Sequence, residues 1–103
     1  MSVSTSIIIP AFNEEQTIGP TIEAFHKASP QAEIIIVDNN CTDKTHMTAL
    51  ETLKSHGIPG RVLTESRQGK GYALQRGIRA AGGAIIIMCD ADCTYPAPQM
   101  DSL

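Results

Sequence analysis

Residues 33–38 read "EIIIVD", four consecutive β-branched side chains closed by an aspartate. Two similar runs lie elsewhere in the chain, "SIIIP" at residues 6–10 and "AIIIMCD" at residues 84–90. Continuous apolar runs are typical of strands that are buried on both faces, as in a parallel sheet. A shorter and more polar segment at residues 61–64 predicts an edge strand. We therefore predict strands at residues 3–9, 33–37, 61–64 and 84–88.

Three segments between these strands have the spacing of amphipathic helices. The first starts near residue 16 or 17, so that Pro20 lies in a first turn, where its missing N–H has no intrahelical partner to lose. The second helix runs over residues 44–56 and the third over residues 72–81. The side chains predicted to point inward are Ile18, Ile22 and Phe25 in the first, Met47, Leu50 and Leu53 in the second, and Leu74 and Ile78 in the third.

The β-α-β-α-β-α-β order predicts an α/β fold with a Rossmann-like parallel sheet, right-handed crossovers and strand order 3-2-1-4. In such sheets, ligands bind beyond the carboxyl ends of the strands. We expect one unit over residues 1–103. Two helices would cover one face of its sheet and one helix the other, so an apolar patch should stay bare and permit self-association.

Composition excludes several classes of protein. The chain is 42% hydrophobic and 18% charged, which is ordinary for a globular domain. Its net charge of -3 gives no electrostatic footprint for nucleic acid. The three cysteines are an odd number and no secretory signal precedes them, so we expect reduced thiols in the cytoplasm. No apolar run approaches the roughly 20 residues of a membrane span.

Acidic or amide residues follow each inner strand, in "PAFNEE" at residues 10–15, "DNNCTDKT" at 38–45 and "DADCTYP" at 90–96. Carboxylates gathered at one sheet edge repel one another unless a cation joins them. Asp90 and Asp92 are two residues apart, so in an extended chain both face the same side. Their oxygens suit Mg²⁺ or Mn²⁺ bound to a substrate's phosphates. A solvated, helix-capping turn is the alternative interpretation.

Asp38 and Lys70 are two further candidates. Asp38 is a turn former or helix cap, or, because Asp43 can serve as the cap, an acceptor for the N–H groups of a nucleobase or for ribose hydroxyls. Lys70 lies between Gly69 and Gly71 ahead of a predicted helix, where backbone N–H groups favour phosphate. The segment fits neither the Walker nor the dinucleotide pattern, and a flexible loop with a solvated lysine is the alternative. The three histidines are expected at the surface.

Four segments together resemble a known family. In order and spacing, "SIIIPAFNEEQTI", "EIIIVDNNCTDKT", "RQGKGYALQRGIRAAGG" and "IIIMCDADCTYP" are similar to the nucleotide-binding half of family 2 glycosyltransferases, which have the GT-A fold. The ending "DADCTYP" most resembles members that transfer sugars to polyprenyl phosphates, such as dolichyl-phosphate mannosyl- and glucosyltransferases. The resemblance covers residues 6–96.

The resemblance implies an enzyme that transfers a sugar from a UDP- or GDP-sugar to an acceptor, such as a polyprenyl phosphate, with inversion at the anomeric carbon and with Mg²⁺ or Mn²⁺. It implies these site residues: Pro10, Ala11, Phe12 and Glu14 bordering the nucleotide, Asp38 at its base, Lys70 near its diphosphate, and Asp90 and Asp92 as the DxD pair at the ribose and metal, with Asp92 catalytic through the metal it holds.

The family's acceptor-binding half and catalytic base would lie beyond Leu103. We therefore expect a partial chain that transfers no sugar by itself, and a full-length protein that is cytoplasmic and peripheral to the inner face of a membrane.

Some residues depart from the family pattern, and two other functions stay open. Arg67 stands where many relatives have Asn, Cys41 and Cys93 replace the more usual Ser and Asp, and Ala84 occupies an often acidic position. "DADCT" also satisfies D-x-D-x-T, the nucleophile motif of haloacid-dehalogenase-type phosphatases, although there it normally ends the first strand. A nucleotide-binding fragment without turnover is the third interpretation.

Overall fold

The computed structural model describes residues 4–88. Seven elements alternate along the chain, as predicted: β1 (Thr5–Ala11), α1 (Ile18–Ala28), β2 (Glu33–Asp38), α2 (Thr45–Ser55), β3 (Gly60–Thr64), α3 (Lys70–Ala80) and β4 (Ile85–Met88). The four strands form one parallel sheet in the order β3-β2-β1-β4. The predicted α/β fold and strand order are confirmed. Cys89, Asp90, Asp92 and Cys93 lie outside the described residues.

The centre of the sheet supplies most of the core. Side chains on one face of β1 and β2 pack with α1 and α2, and those on the other face pack with α3. The fully buried residues are Ile7, Ile9, Ile34 and Ile36 on the first face, and Ile8, Ile35 and Val37 on the second. Each contributes about 1.5–3 kcal/mol by leaving water. The two central apolar runs are therefore buried on both faces, as predicted.

The prediction that β4 is buried on both faces is wrong. Ile85, Ile86 and Met88 are 48%, 39% and 55% exposed. Within the described part of the chain β4 pairs with β1 alone, and α3 packs on β1 and β2 rather than on this edge. Met88 is the register partner of Ile8, so it lies on the face that α3 alone covers. An apolar strip is exposed there, as expected; self-association through it stays a prediction.

The inward face of α2 also differs from the prediction. Met47 and Leu50 are 59% and 47% exposed, whereas Leu53 is buried as expected. The rest of the buried face consists of Thr45 and Ala49. Small side chains let α2 pack closely against its neighbours, so Met47 and Leu50 do not mark its buried face.

Small side chains also form the buried face of α3. This helix begins two residues earlier than predicted, at Lys70, and its buried residues are Ala73 and Gly77. Leu74 is only partly buried, and Ile78 is 42% exposed. Gly77 lies directly on the side chain of Ile8. In α1, by contrast, Ile18, Ile22 and Phe25 are buried as predicted, and Pro20 lies in the first turn.

Two glycines of α3 give a test of this close packing. A Cβ at Gly77 would overlap the side chain of Ile8, which is buried and stiff at χ1. We expect Gly77→Ala to lower the free energy of unfolding by about 1–3 kcal/mol, the usual range for overpacking. The matched control is Gly71→Ala, because a Cβ there meets no atom within 4 Å. Alanine's helix propensity should make that variant more stable by up to about 1 kcal/mol. Urea denaturation measures both, and equal effects would contradict the packing.

Candidate functional site

Three loops converge at the carboxyl edge of the sheet. Ala11 and Asp38, which end β1 and β2, are register partners, and Asp38 is also the partner of Thr64 at the end of β3. The segments that follow these strands therefore leave the sheet side by side. The edge collects the candidate residues of the first two loops and the segment that leads to Lys70.

The loop after β1 presents backbone more than side chains. Ala11 is 1% exposed, and its carbonyl accepts hydrogen bonds from Asn39 N–H (2.9 Å) and from the Cys41 thiol (3.3 Å). Phe12 is about half exposed. Glu14 lies farther along, where its N–H donates to Thr45 Oγ1 (2.7 Å). The structure thus brings residues 10–12 beside Asp38 and places Glu14 at the amino end of α2.

A polar depression lies beside Glu14. Its volume is about 330 Å³, and it is lined by Asn13, Glu14, Glu15, Gln16, Thr17 and Asp43. Oδ1 of Asn13 accepts the N–H of Thr42 (2.8 Å). All six lining residues are polar or charged, and Asp38 is not among them.

Asp38 is buried, and both of its carboxylate oxygens have partners within the structure. Its Oδ1 accepts the N–H of Cys41 (2.7 Å), and its Oδ2 lies 2.8 Å from Nδ1 of His46. Asp43, as expected, serves the start of α2 by accepting the N–H of Thr45 (2.9 Å). Each carboxylate oxygen of Asp38 has a second lone pair, so a ligand's N–H or O–H can still bind there.

The charge of Asp38 is secured by these contacts. Burial acts to raise the pKa of its carboxyl, but the hydrogen bonds from Cys41 and His46 outweigh it, and the pKa is lowered. Asp38 is therefore an anionic acceptor throughout the physiological pH range. Burial raises the pKa of the Cys41 thiol to about 11, helped by the neighbouring Asp38, so this thiol stays neutral.

The three histidines differ in exposure and in hydrogen-bond partners. His56 lies 3.3 Å from Glu23, with both side chains about half exposed, which fits the expected surface position. His46 is only 36% exposed and orients Asp38, a role that was missed. Its position in the first turn of α2, eight residues after Asp38, was the available signal. His26 has a buried Nδ1 with no hydrogen-bond partner among the described residues.

Lys70 is exposed at the first position of α3, preceded by Gly69 in a left-handed conformation (φ 138°). The loop before it contains Arg67, whose guanidinium pairs with Glu65 (3.1 Å) and stacks over the ring of Tyr72 at 4.6 Å. Asn39 anchors this loop through its side chain. Asn39 was not recognised as a site residue, although an amide directly after a buried strand end was a signal for it.

Asp90 and Asp92, the predicted metal ligands, are not among the described residues. Residues 4–88 contain no cluster of three His, Cys, Asp or Glu side chains that could hold a metal ion. Asp90 and Asp92 lie outside this range, so their proximity to Asp38 and their metal role stay predictions. In the same range, no helix is long and apolar enough to cross a bilayer.

Comparison with known proteins agrees with the architecture. The chain is 34% identical to the dodecaprenyl-phosphate galacturonate synthase of Rhizobium johnstonii over 96 residues, which are 88% of this chain and 28% of that protein. Its fold superposes with a TM-score of 0.87 on the mannosyltransferase PcManGT from Pyrobaculum calidifontis, solved with GDP-Man and Mn²⁺. That match has 25% identity and covers 99% of this chain and 31% of the other.

A third similar structure is glucosyl-3-phosphoglycerate synthase from Mycobacterium tuberculosis, solved with Mn²⁺, UDP-Glc and phosphoglyceric acid. The TM-score is 0.78 at 28% identity, and the match covers 98% of this chain and 37% of that one. The chain thus spans between 28% and 37% of the length of these three proteins.

The family is shown by a match along nearly the whole chain. The sequence pattern described as glycosyl transferase family 2 matches residues 6–101, a range that includes all four segments of the predicted resemblance. The haloacid-dehalogenase interpretation of "DADCT" is not supported, because the match places this motif within a glycosyltransferase pattern. The chain belongs to glycosyl transferase family 2.

Proposed function

We propose that the chain is the nucleotide-sugar-binding part of an enzyme that transfers a sugar from a UDP- or GDP-sugar to an acceptor. The observation that carries the proposal is the buried, ionised Asp38 at the carboxyl edge of a parallel sheet in a chain of this family. Ligands of open α/β sheets bind at this edge, and an anionic acceptor there suits the N–H groups of a base.

The base of the donor would lie against Asp38, with the backbone of residues 10–12 beside it. Uracil and guanine both carry ring N–H groups, which Asp38 can accept. Phe12, about half exposed, offers apolar surface at the same end. Glu14 is farther from Asp38 along the loop, at the amino end of α2, and would border the nucleotide from there.

The diphosphate would lie toward Lys70 and the amino end of α3, where a positive side chain and a helix dipole favour negative charge. Asp90 and Asp92 are the residues that would hold Mg²⁺ or Mn²⁺. Such an ion, when bound, offsets the negative charge that develops on the leaving diphosphate. Asp92 thereby has the catalytic role in this proposal, and Asp90 the contact with the ribose.

The acceptor would attack the anomeric carbon from the side opposite the leaving group, which inverts the configuration. A phosphate acceptor is already a nucleophile, whereas a hydroxyl acceptor requires a general base. The similarity to a dodecaprenyl-phosphate galacturonate synthase supports a polyprenyl phosphate. The full-length enzyme would then work in the cytoplasm, at the inner face of a membrane.

The metal role of Asp92 can be tested by calorimetric titration with UDP and GDP in Mn²⁺. We expect Asp92→Ala to weaken binding at least about tenfold, the lower end of what losing even an outer-shell partner costs a metal site. The control is Glu51→Ala, which removes an exposed carboxylate from α2 and changes the net charge equally. Equal affinity of the wild type and Asp92→Ala would refute the metal role.

The proposed contact between Asp38 and the base predicts a loss of affinity that does not depend on the metal ion. We expect Asp38→Asn to weaken binding of the preferred nucleotide roughly tenfold, because one acceptor is replaced by a donor. The loss should be the same with Mn²⁺ and with EDTA, whereas the Asp92→Ala loss should vanish in EDTA. An Asp38→Asn chain that is folded by circular dichroism but binds UDP and GDP as the wild type does would contradict the base contact.

A further inference from the structure

The side chain of Asn39 links the end of β2 to the loop that precedes α3. Its Nδ2 donates to the carbonyls of Glu65 (2.9 Å) and Arg67 (2.8 Å). Its Oδ1 accepts from the N–H of Gly69 (2.9 Å) and, more weakly, from Nε2 of Gln68 (3.5 Å). Both donor hydrogens and both acceptor sites of the amide are therefore used within one five-residue loop.

The orientation of this amide follows from its partners. The two carbonyls can only accept and the Gly69 N–H can only donate, so Nδ2 must face the former and Oδ1 the latter. Asn39 is 4% exposed, so water does not replace these partners. A buried amide with all of its hydrogen bonds made holds one geometry, because every alternative leaves buried groups unpaired.

Backbone hydrogen bonds at Asn39 and its neighbour Asp38 connect the end of β2 to β1 and to the residue that follows β3. Its N–H donates to the carbonyl of Ala11 at the end of β1 (2.9 Å), and the carbonyl of Asp38 accepts from Glu65 (3.0 Å). One residue thus connects the ends of β1 and β2 with the loop that leads from β3 to α3.

The loop that Asn39 holds is also stiffened from within. The carboxylate of Glu65 accepts the backbone N–H of Arg67 (2.9 Å) and its guanidinium, which in turn stacks over Tyr72. Because Glu65 accepts these bonds from Arg67, its pKa is lowered to about 2. The pair therefore stays charged at physiological pH and stiffens the loop. Asn39 contributes four of the hydrogen bonds that join this loop to the end of β2.

We propose that Asn39 is a positioning residue that sets the distance between Asp38 and the amino end of α3 carrying Lys70. The inference rests on the proposed function, in which these two places bind the base and the diphosphate of one nucleotide. Holding both ends in register before binding spares the ligand the cost of ordering the loop. Asn39 touches no ligand in this scheme; it acts through Gly69 and Lys70.

The position of Asn39 predicts a selective defect. A chain that has lost the anchor should still bind the nucleoside, because Asp38 and its partners Cys41 and His46 are unchanged. It should lose the extra affinity that the diphosphate provides. The ratio of diphosphate affinity to nucleoside affinity is therefore the informative quantity, since a general loss of structure lowers both affinities together.

The test compares UDP with uridine, and GDP with guanosine, by titration in Mn²⁺. For the base that the wild type prefers, we expect Asn39→Ala to lower the ratio about tenfold, the equivalent of one hydrogen bond to a charged group. The matched control is Asn40→Gly, which removes the neighbouring exposed amide that bonds Ser66 and Gln68. Glycine keeps the left-handed backbone of that position (φ 66°), so the ratio should stay at the wild-type value.

The outcomes separate the two proposals. A wild-type chain that binds neither UDP nor GDP would overturn the proposed function. If the wild type binds and Asn39→Ala keeps the ratio, or loses nucleoside and diphosphate affinity equally, the positioning role alone is wrong.

A second measurement needs no variant and applies even where Asn39→Ala does not fold. In amide NMR spectra of the wild type, the preferred nucleoside diphosphate should shift the side-chain NH₂ of Asn39 and slow hydrogen exchange at Gly69 N–H. The nucleoside alone should leave both unchanged. The inference would be overturned if the diphosphate shifts other resonances but changes neither the Asn39 side-chain resonances nor the hydrogen exchange of Gly69.

Discussion

The structure depends on the burial of β1 and β2 on both faces. Seven fully buried isoleucine and valine side chains of these strands can leave water only if α1 and α2 cover one side of the sheet and α3 the other. This requirement makes the strands parallel, because each helix must return the chain to the same end of the sheet. All strand ends, and the loops after them, then meet at one edge. The position of the candidate site therefore follows from the burial of the two central strands.

At that edge the hydrogen bonds between strands end, and polar side chains bind the backbone of the loops instead. Asp38, Asn39 and Asn13 each accept backbone N–H groups of loops that have no strand partner there. Asn13 and Asn40 also adopt left-handed conformations, with φ of 53° and 66°, which asparagine tolerates better than most residues. The loops are therefore ordered by short side chains whose lengths leave little freedom, and a ligand meets a surface that is already arranged.

The charged residues at this edge have two roles: some order the loops, and Asp38 is an anionic acceptor. Arg67 pairs with Glu65, stacks over Tyr72 and stiffens its loop. Asp43 is used at the start of α2 and Asp38 remains anionic beside the loop after β1. In a chain of net charge -3, a diphosphate needs compensation, for which the proposed function draws on Lys70, the dipole of α3 and a divalent ion.

The sequence alone determined the order of the elements, the parallel sheet, its two central strands, the buried face of α1 and the family, since runs such as "EIIIVD" suit few environments other than a doubly covered strand. It did not determine the buried faces of α2 and α3, where Ala49, Ala73 and Gly77 replace the larger residues because close approach favours small ones. Nor did it determine which partners Asn39 and His46 would bind. Their roles depend on residues 26 to 30 positions away, or on which side of a helix meets a strand end, and only the tertiary packing decides those distances.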